Sequence, residues 1–413
     1  MSSTPSTISP EQQVLFALGE FAGLSSSVTG SDPDYTTLQA IITALKNAAP
    51  TIGTWNVVWG PSVVVQPIGG AYAMNTMYVA QSAATPSQYA IGIAGTNPKS
   101  ILDWIIEDGF VHWQVPWVYA LLGAPGAKIA LGTAVGLGIL QNMKPSSKVP
   151  GGGSTLVDFL ATITKNPVQL AVAGHSLGGA LAPTVALWLA DTQGFLSHWD
   201  PNKNATLSAL PTAGPTAGNA AFATYSGKKL GPRLTPFYNT LDVVPHAWNA
   251  SMLQEIPSLY VPNIPVLSVI TNLVGLAIQM SANGDYTPLP GLAPLTGNYQ
   301  DVGGVGDLDK FLRELAYQHT TAYDGWFNFN SGWLPAASPA PAAPSPALIE
   351  ALSRKSATPG DVLQAISAAA PRKLIVGTSL VDAPSSPSDP RGAQVVDLVT
   401  AELKKHGIPP SAA

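Results

Sequence analysis

Apolar residues recur along this chain with two different spacings, and the alternation between them predicts its elements. Val14, Leu15, Leu18 and Phe21 share one face of a helix, whose start is marked by Ser9 as N-cap, Pro10 in the first turn and Gln12 reaching back. A second helix is expected over residues 35–47, with Leu38, Ile41, Ile42 and Leu45 facing inward. Three short β-like runs follow at residues 54–59, 76–81 and 88–94, separated by Gly, Pro and Ser clusters, and should form neighbouring strands leading into a main sheet. Residues 168–172 (Val-Gln-Leu-Ala-Val) read as a buried strand and 180–190, rich in Ala and Leu, as a helix. Further strands are expected at 206–210, 234–239 and 373–377. Helices are expected from Ser154 as cap through Lys165, and over 266–280, 307–317 and 393–405. Strands alternating with helices make a mostly parallel α/β sheet the expected architecture.

Composition narrows the choice. The 413 residues are 46% hydrophobic and only 10% charged, with a net charge of −5, so the chain can bury a large core and offers no basic surface for nucleic acid. A mean hydropathy of +0.20 suggests that part of the surface meets apolar material. There are no cysteines, hence neither disulfides nor thiolate metal sites. The first ten residues lack a basic region followed by an apolar core, so no secretory signal peptide is expected. The long apolar run at 118–140 is interrupted by Lys128, Pro125 and several glycines, which favours a buried or interfacial segment over a membrane span. Alternating Pro, Ala and Ser at 334–346 read as a semi-rigid linker between a main domain, 1–333, and a small segment, 347–413, expected to dock on it.

The stretch Val172-Ala-Gly-His-Ser-Leu-Gly-Gly-Ala180 carries the chemistry. Its Gly-x-Ser-x-Gly pattern falls on a strand-to-helix turn, the context a nucleophile elbow requires. Gly174 and Gly178 leave room around a strained Ser176, and the amide of Leu177 at the helix start faces the place where an oxyanion would form. A serine hydroxyl needs a histidine within reach, and that histidine needs a carboxylate to fix its tautomer. The strand ending at Asn239 delivers Asp242 at its carboxyl end, the edge where α/β active sites lie. Of the histidines after the elbow, His198 precedes every candidate acid strand and His406 sits in the appendage, which leaves His246 and His319. His112 and His175 are expected to be structural.

With these residues in hand, the chain over roughly 50–330 resembles the class 3, fungal-type lipases of the α/β-hydrolase superfamily. The elbow, the Gly214-Pro-Thr-Ala-Gly-Asn219 segment and Asn239-Thr-Leu-Asp-Val-Val-Pro245 stand in the family's order. The resemblance implies an α/β-hydrolase fold, Ser176, Asp242 and His319 as the triad, and Thr96 of the Gly95-Thr96 corner with Leu177 as oxyanion-hole donors. It also implies a lid around residues 101–106, with Ile101, Trp104 and Ile105 facing substrate, and no cofactor. Val111-His112 departs from the family's Val-His-x-Gly-Phe, with Gln and Val where Gly and Phe would stand. The activity so implied is carboxylester hydrolysis, most directly of triacylglycerols at a lipid–water interface; phospholipase A1, feruloyl or polyester cleavage, an inactive lipid-binding module and a membrane-surface protein are the alternatives.

Overall fold

The elbow strand alternates large and small side chains, and the fold is built on that alternation. In the computed structural model, which describes residues 8–27, 31–65, 73–94, 109–120, 123–194, 199–335, 373–384 and 388–407, Leu170 and Val172 join the core on one side of the sheet. Ala171 and Ala173 join the core on the other. A strand sends successive side chains to opposite faces, so Leu-Ala-Val-Ala gives one deep face and one shallow face. Onto the shallow face packs helix α1 (Pro10–Ala22), so close that a Cβ on Gly19 would stand 3.3 Å from the Ala173 carbonyl carbon.

Seven strands form the sheet: β1 (Trp55–Val65), β2 (Ala73–Ser82), β3 (Gln88–Ala94), β6 (Val168–His175), β7 (Ala205–Thr212), β8 (Phe237–Asn239) and β9 (Ala293–Leu295), in that spatial order. β2 pairs antiparallel with both β1 and β3. From β3 onward the pairing is parallel, with Ile91 opposite Val172 and Val172 opposite Ala209. Two further strands, β4 (Gln114–Pro116) and β5 (Lys128–Ala130), pair antiparallel in a small sheet of their own. The mostly parallel α/β expectation therefore holds. Several lengths differ from it: β1 runs six residues past its expected end with irregular register, β2 begins three residues early, β6 and β7 continue to His175 and Thr212, and at 234–239 only the last three residues join the sheet, Leu234 making an isolated bridge to Ala209.

Ser9 caps α1 in a reciprocal box with Gln12, as its spacing requires. Helix α2 (Pro33–Ile52) is longer than its apolar stripe because Asp32 caps it and Pro33 starts it. Leu38, Ile41 and Leu45 are buried, but Ile42, expected inward, is 45% exposed: it lies one step round the helix from the contact line. The run at 118–140 is cut by β5 and then forms α3 (Leu131–Asn142), buried among its neighbours on the deep side. No described helix is long and apolar enough to cross a membrane. The next helix, α4 (Leu156–Ile163), is capped by Thr155 with Asp158 and not by Ser154, whose hydroxyl is spent on Gly151 O; it ends at Ile163, short of Lys165. The deep side is completed by α5 (Leu177–Thr192) after the elbow and α6 (Ala220–Leu230).

Beyond the carboxyl end of β8, α7 (Ala250–Glu255) and α8 (Ser268–Ser281) enclose a second apolar cluster with Val243, Trp248 and Tyr260. Helix α9 (Asp307–His319) packs Phe311 and Leu315 into the same cluster, and α10 (Thr321–Phe327) returns the chain to the shallow side beside α1. Among the C-terminal residues, β10 (Lys373–Val376) and β11 (Ser379–Asp382) form a hairpin, and α11 (Arg391–Lys405) lies against α3 and α5. There Leu403 is buried in the main core and Trp188 Nε1 donates to His406 O at 2.9 Å. The Gly95-Thr96 corner, the segment with Ile101, Trp104 and Ile105, His198 and positions 336–346 lie outside the described residues.

Candidate active site

Ser176 stands between β6 and α5 with φ 60° and ψ −128°, a left-handed backbone that costs a non-glycine residue about 1–3 kcal/mol and is held only by surrounding structure. Its amide donates to Thr212 O (3.1 Å) and its carbonyl accepts from Gly179 N (2.8 Å), so neighbouring strand and helix grip the turn from both sides. The grip needs glycine at two points. A Cβ on Gly174 would lie 2.4 Å from Gly178 O, and one on Gly179 would lie 2.3 Å from Thr212 O. Gly178 thus contributes its carbonyl to the packing, while Gly174 supplies the room.

The hydroxyl so presented meets a histidine. Ser176 Oγ is 2.8 Å from His319 Nε2, and His319 Nδ1 is 2.9 Å and 3.0 Å from the two carboxylate oxygens of Asp242. A carboxylate only accepts, so Nδ1 carries the proton and Nε2 is left to accept from Ser176. Asp242 is fully buried and His319 nearly so. Asp242 is fixed further by Val244 N, which donates to Oδ1 (3.0 Å), and by the Tyr323 hydroxyl, which donates to Oδ2 (2.9 Å). His319 is the last residue of α9, two residues further into the helix than the sequence pattern indicates, so its ring rides on a rigid element.

The structure separates the two candidate histidines. His246 sits in the turn after Asp242 with Nδ1 2.6 Å from that residue's backbone carbonyl and Nε2 3.6 Å from the exposed carboxylate of Glu255. It braces the acid's backbone. His175 points to the shallow side, where burial and the neighbouring His319 hold it well below the usual imidazole range. His112 is packed edge-on against Trp113, its ring centroid 5.2 Å away. Leu177 opens α5 and is half-buried at the elbow.

Two supporting groups escaped sequence reasoning. Tyr323 lies four residues after His319, past the break at Thr320 and on α10, and also accepts a bond from Asn239 N (2.8 Å). Asn239, first residue of the acid motif, donates through Nδ2 to Gln318 O and Oε1, and Gln318 in turn donates to Glu314 and to Asn298 O. The Asn of that motif therefore ties the acid strand to the helix that carries the histidine. Beside Val243, next to the acid, an apolar cavity of about 30 Å³ is lined by Leu253, Ile256, Leu273, Val274, Met280 and Phe311 among others. Among the described residues no cluster of His, Asp and Glu is arranged to hold a metal ion.

Residues 91–252 match the family model "Lipase (class 3)". The crystal structure of M37 lipase superposes with a TM-score of 0.69 at 34% identity, over 78% of this chain and 92% of that one. This chain belongs to the class 3 lipase family. As a member it is a serine hydrolase of the lipase/esterase type on an α/β-hydrolase fold. Lipase II from Rhizopus niveus aligns at 17% identity over 59% of this chain and 77% of its own, and the Rhizomucor miehei lipase propeptide complex at 20% over 60% and 66%, each with a TM-score of 0.40. No curated protein sequence matches the chain.

Proposed function

We propose that this lipase hydrolyses triacylglycerols with Ser176 as nucleophile, His319 as general base and then acid, and Asp242 as the carboxylate that orients it. The observation that carries the reading is the unbroken hydrogen-bonded line from Ser176 Oγ through both nitrogens of His319 to Asp242, starting from a strained elbow. Ser176 Oγ attacks the ester carbonyl while its proton passes to His319 Nε2. The imidazolium so formed is stabilised by Asp242 and returns the proton to the leaving alcohol. Water then cleaves the acyl-enzyme by the same route. The amide of Leu177 is one oxyanion donor; the resemblance assigns the other to Thr96, and each such donor is worth about 3–4 kcal/mol in the transition state.

Membership of the class 3 lipase family supports an acyl-ester lipid substrate. Ile101, Trp104 and Ile105 are read as the substrate-facing side of a lid that opens at a lipid–water interface, and 347–413, beyond a linker at 334–346, as an appendage to the hydrolase domain. Hydrolysis of an ester series, from a short soluble acyl chain to an emulsified long-chain triacylglycerol, tests the reading with wild type and Ser176→Ala in parallel. Turnover highest on the emulsion and abolished in the variant is expected. Turnover confined to short soluble esters would remove the triacylglycerol assignment and the interface with it, and turnover surviving in the variant would remove the nucleophile.

A further inference from the structure

Behind His319, on the shallow side of the sheet, stand ionisable groups for which the proposed mechanism has no use. His175, next to the nucleophile, has its ring centroid 4.9 Å from that of His319, at 47° between planes. The His175 ring is held edge-on by Tyr323 at 5.2 Å and Phe16 at 6.2 Å. Its Nδ1 faces Glu20 Oε1 at 3.8 Å, and α1, which carries Glu20, is pressed against the elbow strand through Gly19. The outer part of the Glu20 side chain meets solvent, the side chain as a whole being 28% exposed against 13% for His175, but Glu20 Oε1 and His175 Nε2 are sealed from it without a hydrogen-bond partner among the described residues. Inward-facing polar atoms left so incompletely satisfied cost stability, and they collect at functional sites.

We propose that Glu20, acting through His175, is a positioning residue for His319: the uncharged pair backs the imidazole during turnover, and ionisation of Glu20 places a second negative charge behind it. The proposal rests on His319 being the catalytic base. A charged His175 so close to His319 would oppose the imidazolium that forms there, and burial keeps His175 neutral. Burial, with the charge of Asp324 on α10 adding to it, likewise pushes the Glu20 carboxyl up to about 8. Among the described residues the other titratable group set against the pair is Tyr323, whose hydroxyl is engaged by Asp242 and Asn239. Glu20 is therefore the group whose charge changes behind His319 as the medium turns alkaline. An anion arriving there favours the imidazolium and so strengthens the base.

The test is the pH profile of kcat/KM on a soluble short-chain ester for wild type, Glu20→Gln, Asp324→Asn and His319→Ala. Wild type should rise about threefold through an inflection near pH 8, a modest gain of the kind a single neighbouring charge supplies. Glu20→Gln, a neutral isostere, should match wild type near pH 6.5 and lack the inflection. Asp324→Asn leaves the pair intact and should move the inflection to lower pH, which keeps the test open if Glu20→Gln does not fold. A wild-type profile without the inflection, or one that Glu20→Gln or Asp324→Asn leaves unchanged, overturns the proposal while the base assignment stands. Activity surviving in His319→Ala would instead remove the base assignment and the proposal together.

Discussion

Tyr323 donates its hydroxyl to the same Asp242 oxygen, Oδ2, that lies 2.9 Å from His319 Nδ1. Oδ1 is occupied as well, by Val244 N. A buried carboxylate must have its lone pairs met or it becomes too costly to keep ionised. Here backbone, tyrosine and histidine share that task, so the acid is fixed in place before substrate arrives. The same tyrosine hydroxyl accepts from Asn239 N, so one oxygen binds the strand end, the acid and the α9–α10 corner together.

Tyr323→Phe should therefore act twice. The Asn239 amide and one Asp242 lone pair lose their partner in the interior, at about 1–3 kcal/mol. A less firmly oriented histidine should also lower kcat about tenfold with KM unchanged, since loss of near-attack geometry affects the chemical step. Urea unfolding and steady-state kinetics on a soluble ester measure both. Unchanged kcat with lowered stability would make the tyrosine merely structural.

Within the triad, the variants should not cost alike. Ser176→Ala should reduce kcat about 10⁶-fold and Asp242→Asn about 10⁴-fold, because the amide still packs but favours the wrong imidazole tautomer. Combining them should cost little more than Ser176→Ala alone. Multiplication of the two losses in the double variant would show that the residues do not work as one unit.

The elbow, the acid and the chain order of the site could be read from the residues because each depends on local backbone: Gly174 and Gly179 admit no Cβ, Ser9 and Gln12 close a cap, and Asp242 follows directly on a strand end. The choice between His246 and His319 could not be made from spacing, since both follow Asp242; the geometry that favours His319 comes from helix α9, whose last residue meets Asp242 from 77 positions away. Tyr323 and Glu20 were illegible for the same reason. Their contacts are made between elements that share no sequence pattern, α10 with β8 and α1 with β6. Ile42 shows the opposite error, in which an apolar spacing overstates how much of a helix face is covered.

The C-terminal helix is expected to contribute to the main core, because Leu403 on α11 is 1% exposed and packs beside Gly138 of α3. Leu403→Ala should destabilise the whole protein by about 2–5 kcal/mol in a single cooperative transition. Chemical denaturation followed by tryptophan fluorescence reads this directly, since Trp188 bonds to His406 at the end of the same helix. A separate early transition, with the main one unmoved, would mean that residues 391–407 unfold on their own.

Glu20 should also leave its mark on stability, and the sign can be worked out from its proton. In the folded protein the carboxyl is pushed up from 4.5 to about 8, so between those values the native state holds a proton that the unfolded chain has released. Stability falls with rising pH wherever the native state binds more protons than the unfolded one. The contribution is thus fully present below about pH 4.5 and is lost progressively as pH climbs toward 8. Asp324, raised from 3.8 to about 6, acts in the same direction but is common to wild type and variant. Glu20→Gln has no proton to lose, so its melting temperature relative to wild type should rise between about pH 4.5 and pH 8 and then level off. Thermal melts of both proteins across that range test it. A constant difference would mean that Glu20 titrates like a solvated carboxylate, and that α1 rests on the elbow strand without burying a charge-sensitive group against it.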